Sequence, residues 1–157
     1  MYTVGNGLAD QFERMWMMLR EAIGNCADEE WKRDAGNWFL IPSRLAYHII
    51  ETVDFYSRES PEDMPWAERF GVDWETREVE KLPDREPMLD YLEEIRGSLR
   101  GKLRSMSDEA ILSGHPFPWT GTTLLERMIY TLRHSMFHLG QIQAELRRRG
   151  LKGAEWH

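Results

Sequence analysis

Apolar residues recur along this chain in four stretches at three- and four-residue steps, and no stretch alternates apolar with polar over a strand's length. In the first, Leu8, Phe12, Met15, Trp16, Leu19, Ala22 and Ile23 share one face while Asp10, Glu13, Arg14 and Arg20 fill much of the rest. That pattern predicts an amphipathic helix of about 17 residues, capped by Asn6 and stopped at Gly24 and Asn25. A second helix opens at Pro42, since proline suits the first helical position, and runs to about Ser57. Its stripe is Ile41, Leu45, Ile49, Val53 and Tyr56, with His48 at the edge, roughly 60° from Leu45. The third begins at Pro87 and ends near Ser107, with Met88, Leu92, Ile95, Leu99, Leu103 and Met106 along one face. Gly97 and Gly101 inside it each cost about 1 kcal/mol against alanine, a cost that close packing against another helix would explain. Thr123-Leu124-Leu125-Glu126 matches the Ser/Thr-x-x-Glu capping box and starts the fourth helix, for which Gly150 is the expected C-cap. Leu124 to Arg149 would span about 39 Å, the longest element.

The connections are uneven. Cys26 to Phe39 reads as a connector with two aromatic plugs, Trp31 and Trp38. Arg58 to Glu86 holds Pro61, Pro65, Pro83, Gly71, Trp66 and Trp74, and is too long for a simple turn between bundle helices, which takes roughly 2–8 residues. It carries ten acidic against five basic residues, and the reading preferred over a substrate lid is a solvated crossover whose tryptophans plug the bundle. Asp108 to Gly121 forms another linker, with Pro116 and Pro118 on either side of Phe117. Four amphipathic helices predict an all-α four-helix bundle, and a long crossover between helices two and three suits an up-down-down-up order at least as well as simple alternation.

Composition adds bounds. At 157 residues the chain fits one domain covering residues 1–157. A formal net charge of -7 argues against a phosphate-backbone partner, because that affinity needs clustered Lys and Arg. The one basic cluster, Arg147, Arg148 and Arg149, closes the last helix, where cations meet the negative end of the helix dipole. No run approaches the roughly 18 apolar residues of a membrane span. A single cysteine, Cys26, and an N-terminus without a secretory pattern fit a reducing cytoplasm, with Cys26 read as a small buried hydrophobe.

The candidate chemistry lies in the fourth helix. His134 and His138 are four residues apart, so their imidazoles stack on one face and can share an ion. With Leu124 at 0° on a helical wheel, the two fall near 280° and 320°, beside the core face rather than opposite it, flanked by Thr131 at about 340° and Gln141 at about 260°. Arg133, Phe137 and Ala144 occupy the outward face. An HxxxH pair is a weak signal alone. His48 is the good third candidate, whereas His115 lies in the proline-rich linker and His157 at the last position. No Glu-x-x-His pairs support a ferritin-like di-iron site, and HExxH is absent.

Leu45-Ala46-Tyr47-His48-Ile49 in helix two, the long second connection, and His134-x-x-x-His138-Leu139-Gly140-Gln141 in helix four together resemble the DinB-like (DinB/YfiT) metalloenzymes, and the resemblance spans nearly the whole chain. It implies an up-down-down-up bundle, often homodimeric, with zinc, nickel or iron held by His48, His134 and His138. The superfamily is also similar to bacillithiol and mycothiol S-transferases and to a thiol-dependent maleylpyruvate isomerase, which implies a small-molecule substrate and a low-molecular-weight thiol as cofactor. Two functions follow as expectations. One is a metal-dependent thiol S-transferase or hydrolase with an open coordination position, in which Gln141 and Thr131 orient imidazoles or substrate and Trp66, Trp119 or Tyr47 wall the pocket. The other is a non-catalytic metal-binding or ligand-sensing dimeric bundle.

Overall fold

The computed structural model describes residues 2–64 and 66–157; Pro65, one of the crossover prolines, lies outside them. Four long helices carry the fold: α1 (Val4–Asn25), α2 (Pro42–Ser57), α3 (Arg85–Ser105) and α4 (Leu124–Arg148). Single helical turns at Asp28–Trp31, Trp38–Leu40, Pro61–Asp63, Val79–Lys81, Asp108–Ile111 and Pro118–Thr120 punctuate the connections. The described residues contain no β-strand, only an isolated bridge between Gly114 and Thr123. None of the helices is long and apolar enough to cross a membrane.

Local chemistry accounts for most boundaries. Pro42 sits in the first turn of α2. At α4, Thr123 Oγ1 accepts from the Glu126 N–H at 3.3 Å while the Thr123 N–H donates to Glu126 Oε2 at 2.8 Å, so the capping box is complete. At the other end Gly150 stands one residue beyond the cap Arg149, with φ +75°, and the Gly150 and Leu151 N–H groups reach the Arg147 and Leu146 carbonyls. This is a Schellman closure, in which glycine adopts the left-handed conformation without steric cost.

Three expectations need correction. α1 begins at Val4 under a Thr3 cap, not after Asn6, because Thr3 Oγ1 accepts from the Asn6 N–H and distant Asp108 accepts from the Val4 N–H at 2.8 Å. α3 starts at Arg85, ahead of Pro87, and ends at Ser105. Gly97 and Gly101 do not mediate close packing: both are exposed, and a Cβ on either would meet nothing within 4 Å. The close approach is at Gly5, where a Cβ would stand 2.1 Å from the Leu103 carbonyl oxygen. Missing side-chain volume there lets α1 lie directly on α3.

α1 packs chiefly on α3 and α2 on α4, with α1 also against α4 and α2 against α3. Contacts set the directions. Gly5 meets Leu103 while Arg85 reaches the Cys26 carbonyl, so α1 and α3 run antiparallel. Tyr91 bonds Asp54 and Lys102 bonds the Ser57 carbonyl, so α2 and α3 advance together. Tyr56 packs on Tyr130 and His48 on His138, so α2 and α4 oppose each other. Phe12, Trp16, Leu19, Leu45, Ile49, Leu92, Leu99, Leu139 and Leu146 fill the interior. Trp31 is a buried plug, its indole N–H donating to the Pro83 carbonyl at 3.0 Å. Cys26 is buried, and burial pushes its thiol up to about 11, so it stays protonated. Of the basic residues that close α4, Arg149 is turned inward while Arg147 and Arg148 stay exposed. The Arg149 side chain is 1% exposed and pairs with Glu30 and Glu145, and Arg148 also pairs with Glu145.

Candidate metal centre

His48 projects from the middle of α2, and His134 and His138 from successive turns of α4. Because α2 and α4 are packed neighbours, His48 joins the α4 pair from far away in sequence: one ring nitrogen from each of the three lies within 4.8 Å of the others. Ring centroids stand 4.5 Å apart for His134 and His138, 4.7 Å for His48 and His138, and 5.0 Å for His48 and His134. His115 and His157 are elsewhere. His115 Nδ1 accepts from the Phe117 N–H at 3.1 Å, and His157 sits beside Glu21.

The protonation pattern follows from the contacts. Gln141 Oε1 lies 2.7 Å from His138 Nδ1, and since a carbonyl oxygen only accepts, His138 donates from Nδ1 and presents Nε2 bare. That Nε2 is 3.2 Å from His134 Nε2. Two nitrogens about 2.0–2.1 Å from one tetrahedral ion stand roughly 3.4 Å apart, so the pair already has nearly the separation a shared ion requires. The Nδ1 atoms of His48 and His134 are buried without a partner. Burial, with the neighbouring imidazoles reinforcing it, pushes His48 down to about 3 and His134 down to about 4. Burial lowers His138 too, against the opposing bond from Gln141. All three rings are therefore neutral at pH 7, the state in which imidazole ligates a metal. No Cys or carboxylate joins the cluster among the described residues. The donor set fits a divalent ion with positions left for other ligands.

Aromatic rings surround the histidines, though not those expected. The Trp74 ring lies over His48 at 4.0 Å between centroids, Phe39 and Phe137 meet His138 at 5.9 and 5.1 Å, and Tyr130 stacks on His134 at 6.4 Å. Tyr47 instead donates to the Val72 carbonyl and to Glu51, Trp66 packs on Phe55, and Trp119 donates to the Tyr56 hydroxyl. Tyr130 was foreshadowed by its place one turn before His134. Trp74 and Phe39 arrive from two different connections, and nothing in their local sequence marks them. Thr131 is fully buried and its hydroxyl donates to the Arg127 carbonyl at 2.8 Å, so its proton is not offered to an imidazole.

An all-helical bundle with a three-histidine centre between two antiparallel helices defines a class of proteins that comparison makes specific. Residues 11–142 match the model of the DinB superfamily, and the chain belongs to that family. The crystal structure of a DinB-like protein from Bacillus cereus ATCC 10987 superposes with a TM-score of 0.71 over 100% of both chains at 15% identity, which shows a shared fold. A search of curated proteins returns no match.

Proposed function

We propose that this chain binds a divalent metal ion through His48, His134 and His138 and works as a metal-dependent enzyme of the thiol S-transferase or hydrolase type. The observation that carries the reading is the convergence of three neutral imidazoles with no fourth protein ligand among the described residues, the usual arrangement of a catalytic rather than a structural site. A divalent ion at such a site lowers the pKa of a bound water or thiol and supplies a nucleophile at neutral pH. The chain's own part is to hold the rings. Gln141 fixes the tautomer and orientation of His138, and Trp74, Phe39 and Tyr130 keep bulk water from the ring faces. The pairwise helix directions support an up-down-down-up order in a single domain. As the family resemblance implies, the partners are a small-molecule substrate and a second copy of the chain; the single, buried Cys26 suits a reducing cytoplasm.

A second reading has its own observation. His138 is 8% exposed and aromatic rings crowd the cluster, which also suits an ion that only ties α2 to α4 in a non-catalytic sensing bundle. Elemental analysis of untagged protein, wild type beside His48→Ala, His134→Ala and His138→Ala, tests the site. The expected result is bound zinc, nickel or iron in the wild type and its loss in each variant; equal metal in all four preparations would overturn it. Turnover of an electrophile with a low-molecular-weight thiol by the loaded wild type then separates enzyme from sensor.

A further inference from the structure

Arg44 is 0% exposed, yet among the described residues no carboxylate is bonded to it. Its guanidinium is satisfied by three backbone carbonyls instead: Nε donates to Trp38 at 2.8 Å, one terminal nitrogen to Trp74, and the other to Thr76 at 2.7 Å. It also lies over the Trp38 ring at 4.8 Å, which Arg77 covers at 3.6 Å. A buried cation with no carboxylate bonded to it is costly, and burial, then Arg77, lowers the Arg44 pKa, while the Asp34, Glu75 and Asp73 carboxylates oppose that shift. The guanidinium meets each carbonyl from a separate nitrogen of its planar fork, a spread that the single nitrogen of an ammonium lacks.

What those carbonyls belong to gives the arrangement its meaning. Trp38 adjoins Phe39, whose ring meets His138, and Trp74 carries the ring that lies over His48. The Phe39 and Trp74 rings also touch each other, at 6.1 Å. These two walls come from separate connections, one before α2 and one after it, and Arg44 stands one helical turn before His48. A single side chain therefore ties both walls to the helix that presents the third histidine.

We infer that Arg44 is a positioning residue of the histidine centre: by gripping the Trp38, Trp74 and Thr76 carbonyls it holds Trp74 against His48 and Phe39 against His138, and so sets how tightly the three imidazoles hold a divalent ion. The inference rests on the metal-binding reading above for its affinity consequence, but its geometric part does not.

Sign separates positioning from charge. A cation one turn from a metal site repels the metal, so if charge were the main effect, Arg44→Met would tighten Zn²⁺ binding. Positioning requires the opposite. Competition titration with a chromogenic chelator is expected to show Zn²⁺ affinity about 10–100-fold weaker in Arg44→Met, with Arg44→Lys in between, because an ammonium keeps the charge but cannot span three carbonyls. Leu103→Ala, remote from the histidines, controls for general destabilisation and is expected to leave affinity within about twofold of wild type once folded protein is counted. Unchanged or tighter binding in Arg44→Met, or a loss as large in Leu103→Ala, would overturn the inference. In metal-free protein, NMR of the His48 ring protons reads the same contact directly, since the Trp74 ring current shifts them upfield. Arg44→Met is expected to abolish most of that shift, and its persistence would sink the geometric claim. If the wild type bound no Zn²⁺, the metal reading would fall, while the ring-current result would still decide the clamp. Trp74→Leu, which keeps Arg44 and its three carbonyl bonds, covers the case of an Arg44→Met chain that does not fold; it is expected to weaken Zn²⁺ about tenfold, and wild-type affinity in it would refute the wall's role.

Discussion

The Nδ1 of His138 donates to Gln141 Oε1 at 2.7 Å, and that one bond aims the opposite nitrogen of the ring at His134. Both residues lie on α4, three positions apart, so the orientation is built into a single helix. Gln141→Leu is expected to weaken zinc binding by about 10–100-fold, because the ring loses its anchor and keeps a buried, unpaired N–H. Isothermal titration of zinc into the variant and the wild type measures it. Equal affinities would remove Gln141 from the site.

An ion held by His48, His134 and His138 in the folded chain is expected to appear as added stability. A ligand present at 100 times its Kd, binding only the native state, adds about 2.7 kcal/mol. Urea unfolding of chelator-treated protein, with and without added zinc, is expected to show a gain of that order in wild type and none in His134→Ala.

The glycines of α1 and α3 are expected to respond in opposite directions. Gly5→Ala drives a methyl against the Leu103 carbonyl and is expected to destabilise by about 2–3 kcal/mol, since backbone cannot step aside as a flexible side chain can. Gly97→Ala and Gly101→Ala meet nothing and are expected to stabilise by up to about 1 kcal/mol each, through helix propensity alone. Thermal melts of the three variants test both signs.

Acid sensitivity should have an identifiable contributor at the end of α4. Glu145 is buried, and bonds from Arg148, then Arg149, hold its carboxyl below the usual range. A carboxylate whose folded pKa is depressed stabilises the fold above its unfolded value of about 4.3, and that stability fades as pH falls through the lower folded value. Glu145→Gln is therefore expected to cost about 3 kcal/mol at pH 7, the low end for a broken buried pair because Arg149 retains Glu30. The deficit should shrink below about pH 4.3. Urea midpoints at pH 7 and pH 3 for both proteins give the comparison, and a deficit independent of pH would show that packing, not charge, is at stake.

Where local chemistry decides, the sequence was readable. Pro42, the Thr123–Glu126 box and Gly150 mark their helix ends by mechanisms that act within a turn, and His134 and His138 meet because a helix brings i and i+4 together. His48 was legible as the edge of a stripe. The start of α1 was not, because Val4-Gly5-Asn6-Gly7 is a poor helix-forming run and its first turn is completed by Asp108 from the far side of the chain. Nor were Trp74 and Phe39 as ring neighbours of the histidines. Trp74 and Phe39 reach them through the backbone bonds of Arg44, a three-way tertiary contact with no periodic signature. Gly97 and Gly101 mislead for a related reason: spacing alone does not say which face of α3 looks outward.

The three histidines also differ in when they can meet. His134 and His138 become neighbours as soon as one turn of α4 forms, an event on roughly the submicrosecond scale of helix formation. His48 is far away in the chain and joins only when α2 docks, which waits on the slower closure of a long loop. An ion present during refolding thus encounters a two-nitrogen clip first and a third donor later, and the order of capture is written into the difference between a contact along one helix and a contact between two.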